Sequence, residues 1–142
     1  MRRVEVTEGE FAGWTKFTNE AFEGVVGPFH FRMDDGRPRC AFRAEPRHLN
    51  AGGRMHGGCL MAVADMALFA IAREAMGGQK GVTVALDSVF LDAGRVGDLV
   101  EATGEVTRAG GSLIFVRGQV AVESRMLLTF SGVIKKFRPR PD

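Results

Sequence analysis

The stretch His56-Gly57-Gly58-Cys59-Leu60-Met61-Ala62-Val63-Ala64-Asp65-Met66-Ala67-Leu68-Phe69 decides the fold of this chain. Between Gly57 and Ala72, Asp65 is the only charged side chain, and the apolar residues around it cover nearly every face of a helix. A helix that is apolar almost all round is enclosed by other elements instead of lying on a surface. The run falls short of the roughly 20 residues that span a bilayer, which makes it a buried helix and not a membrane segment. It is predicted to extend to about Met76, where Gly77-Gly78 stops it.

The last third of the chain reads as strands. Gly81 to Leu91, Asp98 to Arg108, Ser112 to Ser124 and Arg125 to Phe137 are rich in Val, Leu, Ile and Phe. Short turns at Ala93-Gly94, Ala109-Gly110-Gly111 and Glu123-Ser124-Arg125 separate them. Strands joined by tight turns pair antiparallel, because a parallel pair needs a long crossover. Two shorter strands, Phe29 to Arg32 and Arg39 to Ala44, flank the turn Asp34-Asp35-Gly36. Between them and the helix, Glu45 to His56 is irregular. At the start of the chain, Thr7-Glu8-Gly9-Glu10 fits a capping box, and Phe11, Trp14, Phe17 and Ala21 recur at three and four. That pattern predicts an amphipathic helix to about Phe22 within an N-terminal helical segment, residues 1–28. The expectation is a single α+β domain over residues 1–142: five or six antiparallel strands wrapped around one long helix, with residues 138–142 as a loose tail.

Composition narrows the function classes. An apolar fraction of 45% and a charged fraction of 25% are those of a globular chain. The formal charge of +2 is mild. Lys135, Lys136, Arg138 and Arg140 gather near the C-terminus, but no broad basic face emerges, which argues against nucleic acid and for an anionic small molecule. Met1-Arg2-Arg3-Val4-Glu5-Val6 has no apolar leader, and Cys40 and Cys59 make no disulfide framework. Both point to a reducing, cytoplasmic location away from membranes.

Asp65 carries the chemistry. Burying a carboxylate without a partner costs several kcal/mol or raises its pKa, so it either pairs inside the core or works in an enclosed site. His56-Gly57-Gly58 stands where the helix begins. Free N–H groups and the positive end of the helix dipole suit a developing oxyanion there, and a glycine lets a carbonyl oxygen approach. Other readings of the glycines fail, since no Gly-Lys-Ser/Thr ending and no Gly-x-Ser-x-Gly elbow is present. His48, His56 and Cys59 lack the spacing of a metal set.

Taken together, His48-x-Asn50, His56-Gly57-Gly58, and Asp65 eight residues past Gly57 resemble the signature of hotdog thioesterases of the phenylacetate-degradation type. Gly81-Val82-Thr83-Val84-Ala85-Leu86-Asp87-Ser88-Val89-Phe90-Leu91 and Gly97-Asp98 are similar to that family's next strand and turn, and the likeness covers Ala44 to Phe137. The resemblance implies a hotdog fold and acyl-CoA hydrolysis without metal or cofactor, in dimers that commonly pair into tetramers. It makes Gly57 the amide donor to the thioester carbonyl and Asp65 the nucleophile or general base. Asn50 would orient the water or acyl group, His56 would fix the thioester, and Thr83 would assist the water. Gly58, Met61, Phe69 and Phe90 would border the substrate, and Arg108, Ser112 and Lys136 fall where CoA phosphates can be met. The walls suit an aryl-acyl or medium-chain fatty acyl group.

Geometry adds a constraint. Eight helical residues separate Gly57 from Asp65 by roughly 12 Å along the axis, whereas a base must come within about 3 Å of its target. If both serve one site, they come from two copies, and a twofold dimer supplies two such sites. Two rivals remain: a hotdog dehydratase or hydratase using His56, and a non-catalytic acyl-CoA sensor.

Overall fold

A computed structural model of the chain describes residues 2–18 and 21–137. Its strands are β1 (Arg2–Glu5), β2 (Thr15–Thr18), β3 (His30–Asp34), β4 (Arg37–Arg43), β5 (Gly81–Phe90), β6 (Leu99–Gly110), β7 (Leu113–Val122) and β8 (Arg125–Lys136). They form one sheet in the order β1-β2-β3-β4-β6-β7-β8-β5, antiparallel throughout. The helices are α1 (Phe22–Val26), α2 (Gly57–Ile71) and α3 (Arg73–Met76). Eight strands exceed the five or six expected, and the C-terminal tail lies outside the described residues.

The sheet wraps α2, as the sequence predicts. Cys59, Leu60, Val63, Ala64, Ala67 and Leu68 form the buried face of the helix. They join Phe42 of β4, Val100 of β6, Ile114 and Val116 of β7, and Leu128 and Ile134 of β8 in one core. Each fully buried Leu or Val contributes about 1.5–3 kcal/mol relative to exposure, so this face holds the fold together. The predicted single helix to Met76 is two segments. Ala72 departs from helical geometry at ψ 0°, and α3 then closes on Gly77 in the left-handed region at φ 57°.

The predicted N-terminal helix does not form. β1 and β2 make a hairpin in its place, extended by the Val6 N–H donating to the Trp14 carbonyl and the Gly13 N–H to the Val6 carbonyl. Gly9 and Gly13 sit at φ +77° and +83°, which no α-helix accommodates. Phe11 and Trp14 serve the turn: Phe11 stacks on the His30 ring at 3.9 Å and meets Trp14 edge-on. Glu10 pairs with Arg43 of β4 and not with a first-turn amide. Among the described residues of the expected helical segment only α1 is helical.

A second correction concerns β5. Its sequence neighbour β6 is not its partner; β5 pairs with β8, from Gly81 opposite Lys136 to Phe90 opposite Leu128. Residues 91–98 carry the chain across to β6, which lies between β4 and β7. Arg125 fastens this crossing by donating to the Ala93 carbonyl at 2.7 Å and to Asp98 at 2.7 Å. The crossing leaves β5 as an edge strand.

Two stability predictions follow from this packing. Leu68 has no exposure, so Leu68→Ala is expected to cost about 2–5 kcal/mol in urea unfolding. His30, 6% exposed, has its Nδ1 buried without a partner, and burial holds its pKa below the ordinary 6.5. The unfolded chain therefore binds more protons in the interval below 6.5, and stability rises with pH across it. The contribution is whole above pH 6.5 and is lost as pH falls from there through the folded value. Melting temperatures from pH 8 to 5 should fall less steeply in His30→Phe than in the wild type; parallel curves would refute this.

Candidate functional site

The helix places Asp65 on one flank. Met61, Asp65 and Phe69 recur every four residues, so they form one stripe along α2. All three are half-buried. The Thr83 hydroxyl of β5 donates to Asp65 Oδ1 at 2.6 Å. No cation pairs with Asp65 among the described residues, so the alternative of a buried ion pair is not met. Among the described residues the Thr83 hydroxyl is the carboxylate's one side-chain hydrogen-bond donor.

His56 begins the helix in extended geometry, and its Nδ1 accepts from the Gly58 N–H at 2.8 Å. The sequence thus spends the Gly58 amide on the cap. Among the described residues nothing accepts from the Gly57 N–H, which remains available as the first free donor of the helix. A Cβ on Gly57 would come within 3.1 Å of the Phe90 ring, so the glycine is what lets Phe90 lie over this amide. Met55 supports the entry, its N–H donating to the Gly94 carbonyl, while the His56 N–H donates to the His48 carbonyl.

Asn50 and His48 build the loop before the helix. Asn50 Oδ1 accepts from the Gly52 and Arg54 N–H groups at 2.9 and 3.2 Å, which leaves the side-chain NH2 as the group it can offer. His48 is buried, with Nδ1 accepting from the Glu45 N–H and Nε2 facing the Val26 carbonyl at 2.8 Å. It staples the loop to the end of α1, a role its place beside Asn50 in the sequence does not reveal.

One chain does not bring the two halves together. Gly57 meets Phe90 and Asp65 meets Thr83, at opposite ends of β5. Seven residue steps of strand separate Thr83 from Phe90, about 23 Å at 3.3 Å per residue. Lys136 lies at the Thr83 end, where it pairs with Gly81, and its Nζ donates to the Ala75 carbonyl at 3.3 Å. Arg108 on β6 and Ser112 within the β6–β7 turn stand at that same end, and Arg108 has no ion pair among the described residues. Cys40 and Cys59 are free and buried. Burial pushes the Cys59 thiol up to about 11 and the Cys40 thiol higher still, so neither is a nucleophile at neutral pH. No cluster that could hold a metal ion occurs among the described residues, and no helix there is long and apolar enough to cross a membrane.

Comparison with known proteins places this arrangement. Residues 52–129 match the thioesterase superfamily. A protein of Pseudomonas aeruginosa named as an esterase is 34% identical over 119 residues, covering 82% of this chain and 89% of its own length. Human acyl-coenzyme A thioesterase 13 is 30% identical over 99 residues, covering 66% of this chain and 68% of its own. Among solved structures, the PaaI protein of E. coli from the phenylacetic acid degradation operon superposes with a TM-score of 0.72 at 23% identity, over 84% of this chain and 86% of that one. A thioesterase of Streptococcus pneumoniae crystallised with coenzyme A gives 0.69 at 22% identity, over 80% and 88%. The family match spans the Gly57 amide, the whole of α2 and the β5 strand that carries Thr83, and the chain belongs to the thioesterase superfamily with the hotdog fold.

Proposed function

We propose that the chain hydrolyses acyl-CoA thioesters at sites shared between two copies. The observation that carries the reading is the Asp65 carboxylate, held by the Thr83 hydroxyl at 2.6 Å on an otherwise apolar helix, with no cation paired to it among the described residues. Its free oxygen faces no competing donor among the described residues. Asp65 of one copy and the free Gly57 N–H of the other then flank the thioester. The amide stabilises the oxyanion as the tetrahedral centre forms. Asp65 either takes a proton from water or attacks the carbonyl to give an anhydride that water cleaves. The thiolate leaves without a strong acid.

Edge geometry supports the dimer. β5 is the end strand of the sheet and exposes Val82, Val84, Val89 and Phe90. A long apolar edge is a template for pairing with another chain. Two β5 strands paired antiparallel about a twofold axis near Leu86 and Asp87 set Thr83 of one copy opposite Phe90 of the other. Because Asp65 sits at Thr83 and Gly57 under Phe90, that pairing closes the gap that one chain leaves open. The rival hydratase reading needs a free His56, and its Nδ1 is committed to the Gly58 amide.

Two experiments test this. Thiol release should be followed with phenylacetyl-, benzoyl- and straight-chain acyl-CoAs. Asp65→Asn is expected to lower turnover 10²-fold or more, with Thr83→Val intermediate; an Asp65→Asn protein as active as wild type would remove the carboxylate from the mechanism. Separately, Asp65→Asn and Gly57→Val chains, each inactive alone, are unfolded together, refolded as mixed dimers and assayed. Random pairing restores one intact site in half of the dimers, about a quarter of wild-type activity. No recovery would place both groups in one chain's site.

A further inference from the structure

A cavity lies on the other flank of α2. It has a volume of about 400 Å³ and is lined by Arg3, Arg32, Arg39 and Arg73, with Phe31 and Ala70 among its apolar walls. Ala70 is five residues past Asp65, which at 3.6 residues per turn turns it about 140° away around the helix axis. The cavity is therefore separate from the Asp65–Thr83 pair within the chain, and it rests on different elements: β1, β3, β4 and the junction of α2 with α3.

Its charges do not balance. Arg32 pairs with Asp34, and Arg39 with Asp34 and Glu101. Arg3 and Arg73 have no acidic partner among the described residues. Arg3 lies over the Phe31 and Phe17 rings, with its guanidinium carbon 5.0 and 5.7 Å from their centroids. Its contacts there are with aromatic faces and not with a carboxylate. Burial first, and then the charge of Arg73, lower the Arg3 pKa. Both residues are exposed, so two like charges border an open hollow with no acidic side chain paired to either among the described residues, and an incoming anion can pair with both.

We propose that this cavity binds a carboxylate carried on an apolar body, gripped by the forks of Arg3 and Arg73 and packed against Phe31. Guanidinium forks match the two coplanar oxygens of a carboxylate. Apolar side chains supply much of the remaining wall, with Met33, Pro38 and Ala70 beside Phe31. A bare phosphate would leave the apolar wall of Phe31, Met33, Pro38 and Ala70 uncovered, whereas a hydrocarbon body packs against it. A volume near 400 Å³ is within the usual range for small organic ligands.

The chain's single tryptophan reports on the site. Trp14 lies beneath the guanidinium groups of Arg32 and Arg39, at 4.6 and 5.5 Å. The test uses the full chain with benzoate as probe: equilibrium dialysis counts bound molecules, and Trp14 emission locates them. Wild type should bind benzoate with a saturable change in emission. Arg73→Gln and Arg3→Gln should each weaken that binding at least tenfold with melting temperature and thioester turnover unchanged, and Arg73→Lys should weaken it less. Neutral benzamide should not bind there. The proposal is overturned if benzoate leaves emission unchanged, if both glutamine variants bind it like wild type, or if inorganic phosphate binds more tightly than benzoate.

Discussion

Enclosure of α2 by the sheet is the constraint on which the rest depends. Val63, Ala64, Ala67 and Leu68 have no exposure at all, so the helix cannot rotate without breaking the core. Interiors packed to crystal density transmit such restrictions to every attached group. With the buried face fixed, the 3.6-residue period assigns the flanks: Met61, Asp65 and Phe69 toward β5, and Ala70 toward β3. Asp65 is half-buried because it stands at the boundary of the enclosed face. A carboxylate one position further round would be either entombed or fully solvated, whereas Asp65 is both partly enclosed and reachable.

The same enclosure explains why Gly57 and Asp65 stand apart within one chain. A helix that must lie along the sheet sends its first amide to one end of β5 and its ninth residue toward the other. The strand crossing over residues 91–98, fastened by Arg125, then puts β5 at the sheet edge with its outer side unpaired. Helix direction, crossover and edge exposure are three features of one topology. Each alone has an ordinary structural explanation, and their combination is what favours a shared site.

Much of this was legible in the residues and some was not. Asp65 stands out because it interrupts an apolar helix, and Gly77-Gly78 marks the end of the helical region by its chemistry alone. Thr83 is different: nothing in its own neighbourhood distinguishes it from any strand threonine, and it is reached only through the family resemblance. The Phe11, Trp14, Phe17 spacing misleads because a turn that points aromatic rings toward one layer can mimic a helical period, and only the left-handed Gly9 and Gly13 break the tie. The β5–β8 pairing is hidden because strand partners are chosen by whole-sheet packing, whereas turn length speaks only for neighbours in sequence. Arg3 and Arg73 are 70 residues apart in the chain, and no local pattern announces that they border one hollow.

The two cysteines have a consequence of their own. Cys40 and Cys59 are sealed in the core, and burial keeps their sulfur protonated. Disulfide exchange proceeds through thiolates, so groups held in this way do not take part. On the proposed chemistry the protein liberates a free thiol with every turnover, beside its own polypeptide. A surface cysteine with an ordinary pKa would drift into mixed disulfides with that product under mild oxidation. By keeping both sulfurs inside, the fold makes the catalyst indifferent to the redox state of what it releases.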